Sequence, residues 1–149
     1  LGQLAQTIKI TTNRNPEESF DIPVYGSVVS DISLIGAGAS ATTMTVDLGS
    51  FASRQGKKAT VYLVVKGPHR DQTELQVASV QPAAELTATL GEPNRNNPQI
   101  VSYPLTFEVL PGATPVSRVS TGSRTAVRIE TTHPQLKELT LFAKYAVVD

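Results

Sequence analysis

Short runs in which apolar and polar residues alternate recur along the whole chain, separated by turns rich in glycine, proline and asparagine. The clearest run is Ala59–Lys66, which carries apolar residues on both faces, as is typical of a central strand. Further alternating runs are Asp31–Ile35, Thr43–Leu48, Glu74–Val80, Glu85–Leu90 and Leu105–Val109. No segment keeps the apolar spacing of about 3.6 residues that marks a helix, so the pattern predicts an all-β chain.

The start and the end of the chain carry the same pattern. Residues from Ile8 onward align without a gap to residues from Val127 onward, at a constant offset of 119 positions (127 − 8). The aligned pairs are Ile8 with Val127, Ile10 with Ile129, Thr12 with Thr131, Phe20 with Leu139, Ile22 with Leu141 and Val28 with Val147. Each copy is predicted to be a hairpin, with two alternating strands around a polar turn that contains proline. In the first copy the strands are expected at Ala5–Thr12 and Phe20–Gly26, with the turn at 13–18.

The repeat divides the chain into two parts. Residues 1–30 are predicted to be the C-terminal hairpin of a preceding, truncated copy plus a joint, and residues 31–149 to be one complete copy. Short strands, abundant β-branched residues and frequent turn signals predict an antiparallel immunoglobulin-like β-sandwich for the complete copy, with a β-barrel as the alternative. The joint at 27–31 carries valines rather than a run of glycine and serine, which favours a stiff connection.

The hairpin at the start of the chain is expected to need a partner, because a lone pair of strands is marginally stable in water. A following domain or another chain could supply it. Its strand edges within residues 5–26 also offer pairing to a second copy of the chain, so we expect edge-strand self-association there.

Charge and composition exclude several classes of function. The 13 lysines and arginines balance the 13 aspartates and glutamates, so the chain has no electrostatic attraction for nucleic acid or anionic lipid. No apolar run approaches the length of a bilayer span, and we expect no membrane insertion. Cysteine is absent, which excludes disulfides, thiolate zinc sites and a cysteine nucleophile within these residues. The chain starts at Leu1 without a signal-like segment, so any export signal would lie upstream.

The strongest candidate for a ligand or partner site is the turn after the central strand. His69, Arg70 and Asp71 follow a Gly-Pro pair and place an imidazole, a guanidinium and a carboxylate in one turn. Such a trio could bind an anion, or a metal with help from Glu74. The simpler interpretation is that Gly-Pro makes the turn, Asp71 bonds to nearby amides, and Arg70 is solvated or paired. We name His69, Arg70 and Asp71 as the tentative ligand or partner loop.

No residue of the chain is predicted to be catalytic. His133, the only other histidine, would have to meet His69 from 64 positions away (133 − 69) and find a third ligand to make a metal site. It precedes Pro134 in a predicted turn, where the X-Pro pair more simply stiffens the chain. The chain has no G-x-S-x-G elbow, no phosphate loop and no calcium-loop pattern. We therefore predict a protein that is not an enzyme and that needs no cofactor and no metal.

Several motifs in order resemble one known family of domains. They are DIPVYGSVVSDISL (21–34), VDLGSF (46–51), VYLVVKGPHRD (61–71), TLGEP (89–93) and RIETTHPQLKELTLFAKYAVV (128–148). Together they resemble a bacterial, planctomycete-type family of repeat domains of unknown function from exported proteins, which is similar to abnormal-spindle/hydin and major-sperm-protein sandwiches. The resemblance implies at least seven strands in two sheets and an exported, periplasmic or cell-surface location. Many family members carry a cysteine-bearing segment, and this chain departs from them by having none.

The repeat, the neutral charge and the missing chemistry together predict a structural module. We expect a non-catalytic structural or protein-interaction domain of a multi-repeat exported protein, whose partners are other proteins or neighbouring repeats of the same chain. The alternative is a β-sandwich that binds carbohydrate or a small anion with the loops at 67–73, 91–99 and 111–124.

Overall fold

The structure is a computed structural model that describes residues 2–11, 13, 19–28, 30–83 and 85–149. These residues form two compact units, Leu1–Ser30 (unit 1) and Asp31–Asp149 (unit 2). Apart from one turn of 3-10 helix at Arg70–Gln72, the regular structure described is β, so the predicted all-β class is confirmed. In chain order the strands are β1 (Gly2–Thr11), β2 (Ser19–Val28), β3 (Ile32–Ile35), β4 (Ala39–Ser40), β5 (Thr45–Ala52), β6 (Lys57–Val65), β7 (Leu75–Gln81), β8 (Leu86–Leu90), β9 (Val101–Val109), β10 (Val116–Arg118), β11 (Thr125–Thr131) and β12 (Glu138–Val148).

Unit 2 is built from two sheets. One has the strand order β3-β6-β9-β8, and all of its pairings are antiparallel. The other has the order β4-β5-β12-β11-β7, with β10 paired to the second half of β12. In this second sheet β5 runs parallel to β12, while the other pairings are antiparallel.

The two sheets share one hydrophobic core. In β9 the buried residues are Val101, Tyr103, Leu105, Phe107 and Val109, and in β12 they are Leu139, Leu141, Ala143, Tyr145 and Val147. Both sets belong to a single buried cluster that also draws on the other main strands of unit 2. Burying a large apolar side chain stabilises a fold by about 1.5–3 kcal/mol, so this alternation is sufficient to fix which face of each strand points inward. Unit 2 is therefore an antiparallel β-sandwich, as predicted.

Two strands are longer than their sequence patterns suggest. The pattern places the end of one strand at Leu48, but β5 continues through Gly49 to Ala52, with a register shift against β12 at this point. The pattern also starts a strand at Leu105, whereas β9 begins at Val101 and includes Pro104. Each addition contributes to the core, Phe51 in β5 and both Val101 and Tyr103 in β9, but Gly49 interrupts the pattern of the first and Pro104 that of the second.

Unit 1 is a two-stranded antiparallel hairpin. β1 and β2 pair from Gly2 with Val28 to Thr11 with Ser19, close to the predicted strand bounds. The predicted turn at 13–18 lies outside the described residues except for Asn13, and Val29 of the predicted joint also lies outside them.

The hairpin of unit 1 has the same register as the hairpin β11–β12. Ile8 pairs with Ile22 as Val127 pairs with Leu141, and Ile10 pairs with Phe20 as Ile129 pairs with Leu139. Every pair of β11–β12, from Thr125 with Ala143 to Glu130 with Glu138, has its counterpart in β1–β2 at the offset found in the sequence.

The environments of the two hairpins differ. Ile129 and Leu141 are 0% exposed, whereas the matching Ile10 and Ile22 are 41% and 46% exposed. The origin of the first hairpin in an upstream copy stays a prediction.

Candidate functional site

The predicted loop at 67–73 is an ordered turn at the end of β6. Gly67 begins it at φ +80°, a conformation that favours glycine, and the Arg70 amide donates to the Gly67 carbonyl at 3.4 Å. The His69 carbonyl then accepts from the Gln72 amide at 3.1 Å and from the Thr73 hydroxyl at 2.8 Å. Backbone hydrogen bonds therefore shape this turn without a ligand.

The three named side chains do not converge on one point. The guanidinium of Arg70 donates to the Gly67 carbonyl at 3.0 Å and lies 3.5 Å from the carboxylate of its neighbour Asp71, which is exposed. Arg70 is thus used within its own turn, and its carboxylate partner is the next residue of the chain rather than a residue of a neighbouring strand. His69 points elsewhere, toward the second histidine of the chain.

The rings of His69 and His133 meet. Their centroids are 5.6 Å apart in an edge-to-face arrangement, although 64 positions (133 − 69) separate them in the chain. His133 is almost fully buried, and its Nδ1 accepts from the Gln135 amide at 3.3 Å. Because Nδ1 accepts, the neutral ring carries its proton on Nε2, which lies 3.2 Å from Oδ2 of Asp31. These two atoms are at ion-pair distance, but their alignment is not that of a hydrogen bond.

Asp31, the first residue of unit 2, lies at the end of the sandwich where the turn at 67–73 and His133 meet. Its carbonyl accepts from the Lys66 amide at 2.7 Å, and its carboxylate lies against Gly67, where an added Cβ would come within 3.1 Å of it. Sequence reasoning did not single out Asp31, because no local motif surrounds it and its histidine partner is 102 positions (133 − 31) away. Together, His69, His133 and Asp31 form what we call the joint-end cluster.

A second contact joins the turn at 67–73 to the loop at 91–99. Arg95 donates to the Asp71 carbonyl at 3.0 Å and reaches the Tyr103 hydroxyl at 3.5 Å. That hydroxyl donates to the Thr73 carbonyl at 2.7 Å, and burial raises the pKa of Tyr103 above its ordinary value. Two of the three loops named for the alternative function therefore lie side by side.

An open groove of about 510 Å³ adjoins this contact, between the outer edges of β7 and β8. Its polar lining includes Glu74, Gln76, Thr89, Glu92 and Arg95, and its apolar lining includes Leu75, Val77, Ala88 and Leu90. The volume lies within the range of small-ligand pockets, about 300–1,000 Å³, but the groove is largely open to solvent.

The third loop, 111–124, begins at the opposite end of the sandwich. The Ser53 hydroxyl donates to the Ala113 carbonyl at 2.6 Å, at the end where β5 finishes and β6 starts. Further along, Arg118 lies 3.2 Å from both carboxylate oxygens of Glu85, and both side chains are largely buried. The Glu85 carboxylate is also 3.5 Å from the Tyr145 hydroxyl, whose pKa burial raises. The loop is therefore packed onto the body and does not complete a site with the other two.

Two further findings concern the part of the chain that the structure describes. Among these residues no group of three or more histidine, aspartate or glutamate side chains is placed to hold a metal ion. Likewise, none of the described helical structure is long and apolar enough to cross a bilayer.

Comparisons of the chain with models of protein families, with curated proteins and with solved structures found no match.

Proposed function

We propose that the chain is a non-catalytic structural and protein-interaction module of a multi-repeat exported protein, in which similar β-sandwiches follow one another. The observation that carries this proposal is that the hairpin of unit 1 repeats the last hairpin of unit 2. β1–β2 repeats the pairing of β11–β12 residue for residue, yet its apolar face is exposed instead of buried. That face consists of Ile8, Ile10, Phe20, Ile22 and Val24.

The buried copy indicates what would cover the exposed face. In unit 2 the matching face of β11–β12 lies in the core, between the flanking strands β5 and β7 and opposite the sheet β3-β6-β9-β8. At its five apolar positions this face matches residues that are buried in unit 2, although Gly26 stands where unit 2 has Tyr145. The face is therefore suited to a sandwich body of a similar kind. Neighbouring repeats are therefore the first partners we propose, with edge pairing between copies through residues 5–26 as a second mode.

The strand order supports an immunoglobulin-like sandwich. The sheet β3-β6-β9-β8 corresponds to the order A-B-E-D of constant-type immunoglobulin domains, and β7-β11-β12 corresponds to C-F-G. The resemblance to repeat domains of exported bacterial proteins adds the proposed location, in the periplasm or at the cell surface.

The joint-end cluster holds the first residue of unit 2 in place within unit 2, which supports a module that the chain enters at a fixed point. Asp31 ends the joint, and the Lys66 amide, the His133 ring and Gly67 surround it at the end of its own sandwich. A chain that reaches the sandwich at Asp31 has little freedom beyond that residue, as spacing between modules requires. We propose this anchoring, rather than ligand binding, as the role of the cluster.

A grafted chain tests the proposal. Residues 31–124 are placed directly before residues 6–149, so that the hairpin of unit 1 replaces β11–β12 of an added body. Hydrogen exchange should then show the amides of residues 6–28 protected at least about a hundredfold more than in the 1–149 chain, because the hairpin becomes part of a core.

Three variants of the graft make the result interpretable. Ile8→Asp with Ile22→Asp should abolish the added protection, whereas Lys9→Glu on the opposite face should not. The combined variant Ile8→Val, Phe20→Leu, Val24→Ala and Gly26→Tyr gives the graft the side chains of Val127, Leu139, Ala143 and Tyr145. It removes the overpacking and fills the cavity that Gly26 would leave. If the hairpin stays unprotected even in this matched graft while unit 2 folds normally, the proposal is wrong.

The groove beside Arg95 favours one second candidate, the binding of a small anion. Arg95 is exposed there, although Glu74 and Glu92 in the same lining oppose an anion. Titration with inorganic phosphate, followed by amide chemical shifts, should move residues lining the groove at millimolar concentration. Arg95→Gln should remove these shifts, and Arg54→Gln at the opposite end should not. Uniform small shifts in all three proteins would refute this candidate.

A further inference from the structure

The pairing of β5 with β12 differs in direction from the other strand pairings described. It is parallel, and it joins seven residue pairs from Thr45 with Phe142 to Ala52 with Val148. The other pairings between described strands are antiparallel. β5 stands near the start of unit 2, and β12 is its last strand.

Contacts outside the regular ladder strengthen this pair along its whole length. At one end the Phe142 amide donates to the Met44 carbonyl at 2.8 Å, and at the other the Ser53 amide donates to the Val148 carbonyl at 2.6 Å. Between them the Lys144 ammonium donates to the Asp47 carboxylate at 2.9 Å, and this bond holds the pKa of Asp47 below its ordinary value.

Because β5 and β12 run parallel, tension along the chain would load their backbone hydrogen bonds together rather than one at a time. Tension that enters unit 2 at Asp31 first loads the short pairing of β3 with β6. Once those four residue pairs give way, it passes through β4 to the amino end of β5, and it leaves from the carboxyl end of β12. In a parallel pair those two points lie at opposite ends of the ladder. The strands must then slide past one another, so the backbone hydrogen bonds share the load and must break nearly together. A single such bond contributes only about 0.5–1.5 kcal/mol, so sharing is what makes the ladder resist.

The hairpin of unit 1 shows the opposite geometry within the same chain. Its outer ends, Gly2 and Val28, are paired with each other. Tension along the chain pulls these neighbouring ends apart and breaks the bonds one at a time. The same molecule therefore contains a ladder loaded in shear and a ladder loaded by peeling.

We propose that the β5–β12 ladder makes unit 2 a load-bearing module, which resists tension applied between its first and last residues. This role rests on the proposed function, because tension passes through the sandwich in this direction only when modules are joined in series. The partners that this role implies are the modules joined to unit 2 before Asp31 and after Asp149, which would transmit the tension.

Single-molecule force measurements can separate the two loading directions. The chain has no cysteine, so introduced cysteines are unique attachment points for handles. One variant carries Leu1→Cys and Asp149→Cys, which loads β5 and β12 in shear. The second carries Arg54→Cys and Asp149→Cys, which pulls on two residues near the same end of the ladder and peels it.

At equal pulling speed, we expect unit 2 to unfold at a force at least about twofold higher in the first variant than in the second, because forced unfolding follows the barrier along the pulled direction. In the first variant the hairpin should open earlier, at low force, and the later event should release about 400 Å of chain, as about 120 extended residues require. Thermal unfolding should be alike in both variants, which shows that direction and not stability sets the difference.

Equal forces in the two directions, or a lower force from end to end, would overturn the load-bearing role. This result is independent of the grafted chain, because it is measured on one sandwich alone. A graft that fails with the force difference intact refutes the serial arrangement, and the reverse outcome refutes only the mechanical role.

Discussion

One pair of substitutions separates the two hairpins most directly. Ile10 and Ile129 are the same residue at the same position of the same register, opposite Phe20 and Leu139 respectively. Ile129 is 0% exposed in the core of unit 2, and Ile10 is 41% exposed in unit 1. Replacing each in turn by alanine removes the same atoms from two different environments, so the difference between the two effects measures the environment alone.

The expected costs differ by several kcal/mol. Truncating a buried isoleucine to alanine costs about 2–5 kcal/mol, because the transfer energy of the lost carbons adds to the cavity that they leave. Unfolding entropy near the midpoint is about 2.1 cal/mol/K per residue, or about 250 cal/mol/K for a unit of this size. A loss of about 3 kcal/mol in Ile129→Ala therefore lowers Tm by about 12 °C. Ile10→Ala should change the stability of unit 2 by less than about 0.5 kcal/mol.

Thermal and urea denaturation followed by circular dichroism would measure both values. The urea slope should stay the same in both variants, because neither changes the surface that unit 2 exposes on unfolding. If Ile10→Ala costs as much as Ile129→Ala, the first hairpin belongs to the core of this sandwich and its assignment to another body is refuted. A cost below about 1 kcal/mol for Ile129→Ala would instead refute the core described here.

Three further predictions concern unit 2. The Lys144 ammonium lowers the pKa of Asp47 in the folded state, so the stability that this carboxylate contributes is complete above its ordinary pKa and is lost as pH falls through the lower folded value. In urea denaturation, Asp47→Asn should be less stable than the parent by up to about 1 kcal/mol at pH 7, and the difference should shrink as the pH is lowered into the acid range. Arg118→Met should cost about 2 kcal/mol by leaving the carboxylate of Glu85 largely buried and unpaired, and adding Glu85→Gln should recover part of that loss in the same denaturation assay. Gly67→Ala should destabilise unit 2 more than Gly112→Ala, since both have positive φ but only the former meets a neighbour; equal melting temperatures would contradict this.

The alternation of apolar and polar residues predicted those strands that have one face in the core and the other in solvent. β8, β11 and β12 follow their patterns closely, and the offset between the two hairpins gave their register before any coordinates. The extension of β5 to Ala52 could not be predicted in this way, because a register shift at Gly49 interrupts the alternation. The start of β9 at Val101 does follow the alternation, since Val101 and Tyr103 are buried on the same face as Leu105, but Pro104 is a residue that argues against a strand interior.

The candidate site was predictable only in part. The turn at 67–73 could be found because Gly-Pro and short polar residues mark it locally. The meeting of His69 with His133, and of His133 with Asp31, depends on three separate segments that end at the same end of the sandwich. A periodicity argument says which face of a strand is buried, but it does not say which loops share an end.

The matched hairpins also bear on how tandem copies avoid misfolding. Adjacent similar domains can exchange equivalent strands while they fold, and this is a characteristic failure of repeat proteins. Here the register is shared but the volumes are not, because Phe20 stands where the other hairpin has Leu139, and Val24 stands where it has Ala143. Overfilling a packed core costs about 1–3 kcal/mol, which reduces the population of a misplaced hairpin by about five- to 150-fold. In the proposed series of copies, these differences in side-chain size would give unit 2 a preference for its own hairpin over that of unit 1.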